Sequence, residues 1–233
     1  MDRVTVPISP TEASLGLIAP LLDRTILDAE VAAGAELSLG TGIGQVIHDG
    51  GRVAGATLRG ASGKSYDVRA DLVVGADGRG SRAAEAVGAT LFAASRRDGL
   101  RLLPRYREPR LSLVLRRRHL GWCHPNDDSL HCVFAGCRPK EHEATFPDPL
   151  IGMTAIIPEF DAELAERVAA GPTERLRRFP GASAHLRARI GAGWAMVGDA
   201  AFFKDPATAH GITDALLDAH YLKVSDVSAH RTF

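Results

Sequence analysis

Two aspartates stand where apolar runs give way to glycines and small residues. The later one belongs to Gly198-Asp199-Ala200-Ala201, followed by Pro206, Gly211-Ile212 and Asp218-Ala219. A buried strand ending there delivers Asp199 at its carboxyl end, where the side chain accepts hydrogen bonds from ligand hydroxyls. Pro206 turns the loop, and Gly211 lets a backbone approach closely at the start of a helix. The unpaired N–H groups of such a helix end suit a phosphate or a negatively charged ring oxygen. The earlier stretch is Leu72-Val73-Val74-Gly75-Ala76-Asp77-Gly78-Arg79-Gly80-Ser81. Its glycines permit a tight loop, Asp77 stands at a strand end, and Ser81 is placed to cap a helix. Any one residue of the later set reads as a capped turn or helix start, and the earlier stretch alone is a moderately specific turn. The spaced set points to a ligand.

Both aspartates need strands to carry them. Residues 71–75 and 193–198 are continuous apolar runs, as in strands covered on both faces of a parallel sheet. Helices are expected over 81–87 and from near Gly211. Upstream, 24–33 reads as a short helix stopped by Gly34. Residues 35–39, 45–48, 52–58 and 66–69 read as strands of an antiparallel meander. Asp49-Gly50-Gly51 and Ala61-Ser62-Gly63-Lys64 are its turns. Further strands are expected over 111–115, 122–125, 130–136 and 151–158. Asp161 should cap a helix reaching Ala170, with Leu164 and Val168 on one face. Residues 1–22 read as irregular, and 223–233 as a polar tail.

Composition narrows the function classes. The chain has 233 residues, 45% hydrophobic and 24% charged, which suits a globular protein and disfavours disorder. Lys plus Arg and Asp plus Glu both number 28, so no general pull on nucleic acid or acidic lipid is expected. The arginines between 96 and 118 make a local basic stretch. Only Tyr106 interleaves them, so it reads as a solvated strand and loop. Cys123, Cys132 and Cys137 have no C-x-x-C spacing and read as reduced thiols; no metal site is expected. Residues 1–10 lack an apolar signal region, and the run 15–22 is short and broken by Pro20. A cytoplasmic protein acting on a small molecule, with no nucleic-acid or membrane partner, is expected.

Asp77, Gly78 and Ser81 as a D-G-x-x-S element, with Gly198-Asp199, Pro206, Gly211 and Asp218-Ala219, resemble the FAD-dependent monooxygenases of the aromatic-hydroxylase type. That group lies within the glutathione-reductase-like flavoproteins. Arg24 with Leu27-Asp28 looks like its arginine-bearing helix, and residues 122–134 like its paired substrate-domain strands. The resemblance implies an α/β fold: an incomplete FAD-binding domain (Rossmann-like, glutathione-reductase-type) with a mixed-sheet substrate domain. Residues 1–92 would form the first part of the FAD-binding domain, 93–190 the substrate domain, and 191–233 the second part plus the tail. It further implies Arg24, Asp77, Gly78, Gly198, Asp199, Pro206 and Gly211 as FAD-binding residues, Asp199 holding the ribitol. No catalytic residue is implied. The implied chemistry is reduction of FAD by NAD(P)H as co-substrate, then oxygen-dependent hydroxylation of a small substrate.

One departure matters most. The family's opening strand, G-x-G-x-x-G turn and helix are missing, and Gly40-Thr41-Gly42-Ile43-Gly44 has the wrong spacing inside the meander. Ala209, His210 and Thr213 also depart from the family's commoner Gly, Gln and Asn. The missing strand would lie beside 71–75, so an apolar edge is left open. Each buried unpaired backbone group costs ~1–3 kcal/mol, against a total stability of ~5–15 kcal/mol. The expectation is a truncated member, weak or inactive alone, self-associating through the unpaired sheet edge. The alternative is a non-catalytic remnant or partner-binding fragment.

Overall fold

The two apolar runs form strands, and the strands pair in parallel, Ala195 beside Val74. The computed structural model describes residues 4–5, 19–95, 102–105, 112–115, 119–125, 131–137, 148–159, 161–172, 183–204 and 210–224.

In chain order the first elements are β1 (Val4–Thr5), α1 (Ala19–Ala32), β2 (Gly42–Asp49), β3 (Arg52–Arg59), β4 (Ser65–Arg69) and β5 (Val73–Gly75). Then come α2 (Arg82–Ala86), β6 (Leu91–Ser95), β7 (Leu102–Arg105), β8 (Ser112–Leu115), β9 (His119–Pro125) and β10 (His131–Cys137). α3 (Pro149–Ile156), a 3-10 turn (Ile157–Glu159) and α4 (Ala162–Ala169) follow. The last are β11 (Ala184–Arg187), β12 (Ile190–Gly191), β13 (Trp194–Met196), a 3-10 turn (Gly198–Ala200), β14 (Phe202–Phe203) and α5 (Gly211–Val224).

These elements divide between two compact units. The first comprises Met1–Glu36 and Asp98–Ala182, the second Leu37–Arg97 and Ser183–Phe233.

In the first unit an antiparallel sheet runs in the order β1-β8-β9-β10-β7. β9 and β10 pair from His131↔Pro125 to Cys137↔His119. Cys123, Val133 and Ala135 from these strands share a core with Met153, Ile156, Ile157, Leu164 and Val168. Asp161 caps α4 as its sequence implies, accepting from Glu163 N and Leu164 N at 3.1 Å each, and Leu164 and Val168 are buried on one face. The expected strand over 151–158 is a helix instead. Asp148 accepts from Leu150 N at 2.7 Å and Ile151 N at 3.2 Å, and Pro149 opens α3. A short apolar run fits strand or buried helix equally, and Asp-Pro before it decides for helix.

Among its described residues the second unit holds three three-stranded sheets, β2-β3-β4, β12-β13-β5 and β14-β11-β6. The expected strand over 35–39 does not form. The chain stays irregular until Gly42, with Leu39 79% exposed, and among the described residues no strand pairs with it. The glycine string at 40–44 runs into β2, as its place in the meander implies. Val53 N donates to Ala192 O at 2.8 Å, tying the meander to the turn before β13. Gly193 makes that approach with φ +79°; a Cβ there would lie 1.9 Å from Val53 O.

Beneath the parallel pair, Ala83, Ala84, Met196, Ala200 and Ala201 form a second core, with Ile43, Val87 and Trp194 packed on it. Full burial of one large side chain such as Met196 stabilises by ~1.5–3 kcal/mol. The alanines let α2 and the turn after β13 lie close to the strands. Among the described residues β5 is the terminal strand of its sheet, and Val74 on it is 43% exposed.

Candidate functional site

The register of the parallel pair brings the two aspartate motifs together. Gly75 lies opposite Met196, so β5 and β13 end level with one another. Asp77 follows β5 and Asp199 follows β13, both leaving the carboxyl ends of adjacent strands. Arg79, in the first loop, lies near enough for its charge to favour the ionised form of Asp199. The two stretches therefore converge at one end of the sheet, where ligands meet α/β folds.

Asp77 is committed to its own loop. It accepts from Ser81 Oγ at 2.5 Å and from Ala83 N at 3.0 Å, while Ala84 N donates to the fully buried Ser81 Oγ at 2.8 Å. Burial alone would raise the Asp77 carboxyl. The Ser81 hydrogen bond and the backbone N–H groups outweigh it, so the carboxyl lies below its ordinary value. Gly78 makes the turn with φ +77°, and a side chain there would meet nothing within 4 Å. Asp77 and Gly78 shape the loop that carries Arg79.

Asp199 differs. It sits half-buried in the 3-10 turn after β13, and among the described residues nothing hydrogen-bonds its carboxylate. Burial raises this carboxyl above its ordinary value; His185 and Arg79 oppose the rise, and Asp214 adds to it. His185 Nε2 lies 3.1 Å from the Asp199 carbonyl oxygen, fitting a donating ring nitrogen, and its ring packs on Phe203 at 5.9 Å. Asp199 is thus a half-dry acceptor with its lone pairs open.

The turn under Asp199 is held from α5. Asp218 Oδ2 accepts from Gly198 N at 2.9 Å and from Arg189 Nη2 at 3.0 Å. Gly198 has φ +57°, and a Cβ there would lie 3.2 Å from Ala215 Cβ. Gly211 opens α5, exposed, with nothing within 4 Å of a Cβ position. Lys204 pairs with Asp214 in the first turn of this helix at 2.6 Å.

Pro206 lies outside the described residues, as do most of the arginines between 96 and 118. Arg24 belongs to the first unit, where its Nε donates to both oxygens of Asp28 at 2.8 Å on the exposed face of α1.

Sequence reading missed Arg79, His185, Arg187 and Arg189. Arg79 was visible inside the loop motif. His185 and Arg187 alternate on β11, and only the antiparallel registers with β14 (His185↔Phe203) and β6 (Arg187↔Leu91) reveal their surroundings. Arg187 Nη1 is buried without a hydrogen-bond partner among the described residues.

Comparison with known proteins accords with this geometry. A flavin-dependent brominase, Bmp2 (a triple mutant), superposes with a TM-score of 0.69 at 19% identity, covering 88% of this chain and 57% of its own. A flavoprotein/dehydrogenase from Cytophaga hutchinsonii gives 0.68 at 19%, covering 89% and 55%. PqsL, a probable FAD-dependent monooxygenase from Pseudomonas aeruginosa, gives 0.64 at 22%, covering 86% and 57%. The chain thus has the α/β fold of flavin-dependent proteins and spans little more than half the length of these structures. No curated protein sequence matches it. The family model described as FAD binding domain matches residues 5–225, a span containing both aspartate loops and the whole parallel pair, and the chain belongs to that family.

Proposed function

We propose that the chain binds FAD and serves a flavin-dependent oxidoreductase of the monooxygenase type, in which NAD(P)H and O2 support hydroxylation of a small organic substrate in the cytoplasm. One observation carries the cofactor reading: the open, half-buried Asp199 carboxylate at the level where Asp77 builds the adjoining loop. The residues fit the sugar-alcohol half of FAD. Asp199 would accept from ribityl hydroxyls, and the orphaned Arg187 Nη1 would donate to an oxygen. The start of α5 at Gly211 would face negative charge. Bound FAD supplies the redox and oxygen chemistry; the chain's part is to hold it, orient it and exclude water.

Thermal stabilisation by excess FAD tests binding, since a ligand that binds only the folded state raises stability by mass action. NADH- or NADPH-dependent oxygen uptake by the FAD-loaded protein tests the reaction class. A stabilising shift with no uptake, for either nicotinamide, removes the monooxygenase reading and leaves FAD binding.

A second reading has its own observation. Among the described residues β5 ends its sheet with Val74 exposed, and α5 exposes Ile212, Leu216 and Tyr221. An exposed apolar edge strand favours pairing with another strand. In this reading the chain is a partner-binding, non-catalytic fragment, and size-exclusion chromatography with light scattering would show association without flavin.

A further inference from the structure

A cleft of about 680 Å³ opens between the meander and α2, lined by Gly42, Gly44, Arg59, Arg82, Glu85 and Ala86. Its volume falls within the range of small-molecule sites, ~300–1,000 Å³. Its charged groups come from different elements: Arg59 ends β3, while Arg82 and Glu85 lie on α2. All three side chains are exposed, and none makes a hydrogen bond or ion pair among the described residues. Two guanidinium groups facing one cleft without carboxylate partners are unusual, because each brings fork-shaped donors that match oxyanions.

The backbone adds to the cleft. The β2–β3 register shifts between Ile43 and Gln45, so Gly44 has no partner across β3. A bulge of this kind frees backbone groups from the ladder. A Cβ on Gly44 would come within 3.2 Å of Thr57 O, whereas Gly42 has open space around it. Ile43 between them packs on the second unit's core, which fixes this wall against α2.

We infer that this cleft binds a small organic oxyanion, with Arg59 and Arg82 as its two anchors and Glu85 receiving a hydrogen-bond donor from the same ligand. Phosphate and carboxylate share the required chemistry. The site is separate from the Asp199 carboxylate and does not rest on the FAD reading.

Isothermal titration of the full chain with inorganic pyrophosphate in one arm and succinate in the other tests the inference and tells the two sources apart. Saturable binding of either anion, weakened about ten-fold or more by Arg59→Gln and by Arg82→Gln, is expected from losing one charge-assisted contact. Glu85→Gln should tighten binding of these donor-free probes by removing a repelling carboxylate. Asp199→Ala should leave it unchanged, so that failure of FAD binding and failure of this site read out independently. Circular dichroism on each variant establishes that it is folded. The inference is overturned if neither anion binds, or if binding persists at full strength in the folded Arg59→Gln and Arg82→Gln proteins.

Discussion

Asp77 and Asp199 end adjacent strands, yet their surroundings drive them in opposite directions. Hydrogen bonds from Ser81 and backbone N–H groups outweigh burial and hold the Asp77 carboxyl low. Its stabilisation is therefore present above the ordinary value of 3.8 and is lost as pH falls through the lower folded value. Burial holds the Asp199 carboxyl high. Between 3.8 and that higher value the folded state keeps a proton that the unfolded state has released, so stability falls as pH rises through this window. Asp199→Asn removes that penalty. In the absence of ligand, the variant should melt above wild type at pH 7, and the difference should vanish below pH ~3.8. The same change should weaken FAD about 10–100-fold, since a hydrogen bond to a charged group contributes ~1.5–3 kcal/mol. Together these outcomes mark a residue kept for binding at the expense of stability.

At the scale of elements, the loop after β5 and the turn before β13 hold the parallel pair in place. Ser81→Ala removes the N-cap of α2 and a donor to Asp77, and should cost ~1–2 kcal/mol in urea unfolding. Gly193→Ala forces a Cβ against Val53 O from a left-handed backbone and should cost ~2–4 kcal/mol or abolish folding. Much of this was legible beforehand. Both buried strands, the meander turns and the caps Ser81 and Asp161 follow from local chemistry that a short window contains. The helix at Pro149–Ile156 was misread because its apolar run carries no period, and the deciding Asp148-Pro149 lies just outside it. The absence of a strand over 35–39 was illegible for a different reason. Pairing needs a neighbour, and no window of sequence says whether one is there. Likewise the meeting of Arg79 with Asp199 depends on register between strands more than a hundred residues apart.

For the whole molecule, the exposed Val74 on β5 is the feature that bears on association. Among the described residues no helix is long and apolar enough to cross a membrane. The exposed Val74 edge should instead produce concentration-dependent self-association. Val74→Lys should reduce it, because charge on an edge strand discourages pairing; sedimentation at two concentrations reads the change. Flavin binding is the property on which the account stands, and fluorescence titration of FAD with the purified chain measures it most directly. Saturable binding that Asp199→Ala weakens about ten-fold or more is the expected result. No binding, or equal binding by wild type and the Asp199 variant, would contradict it.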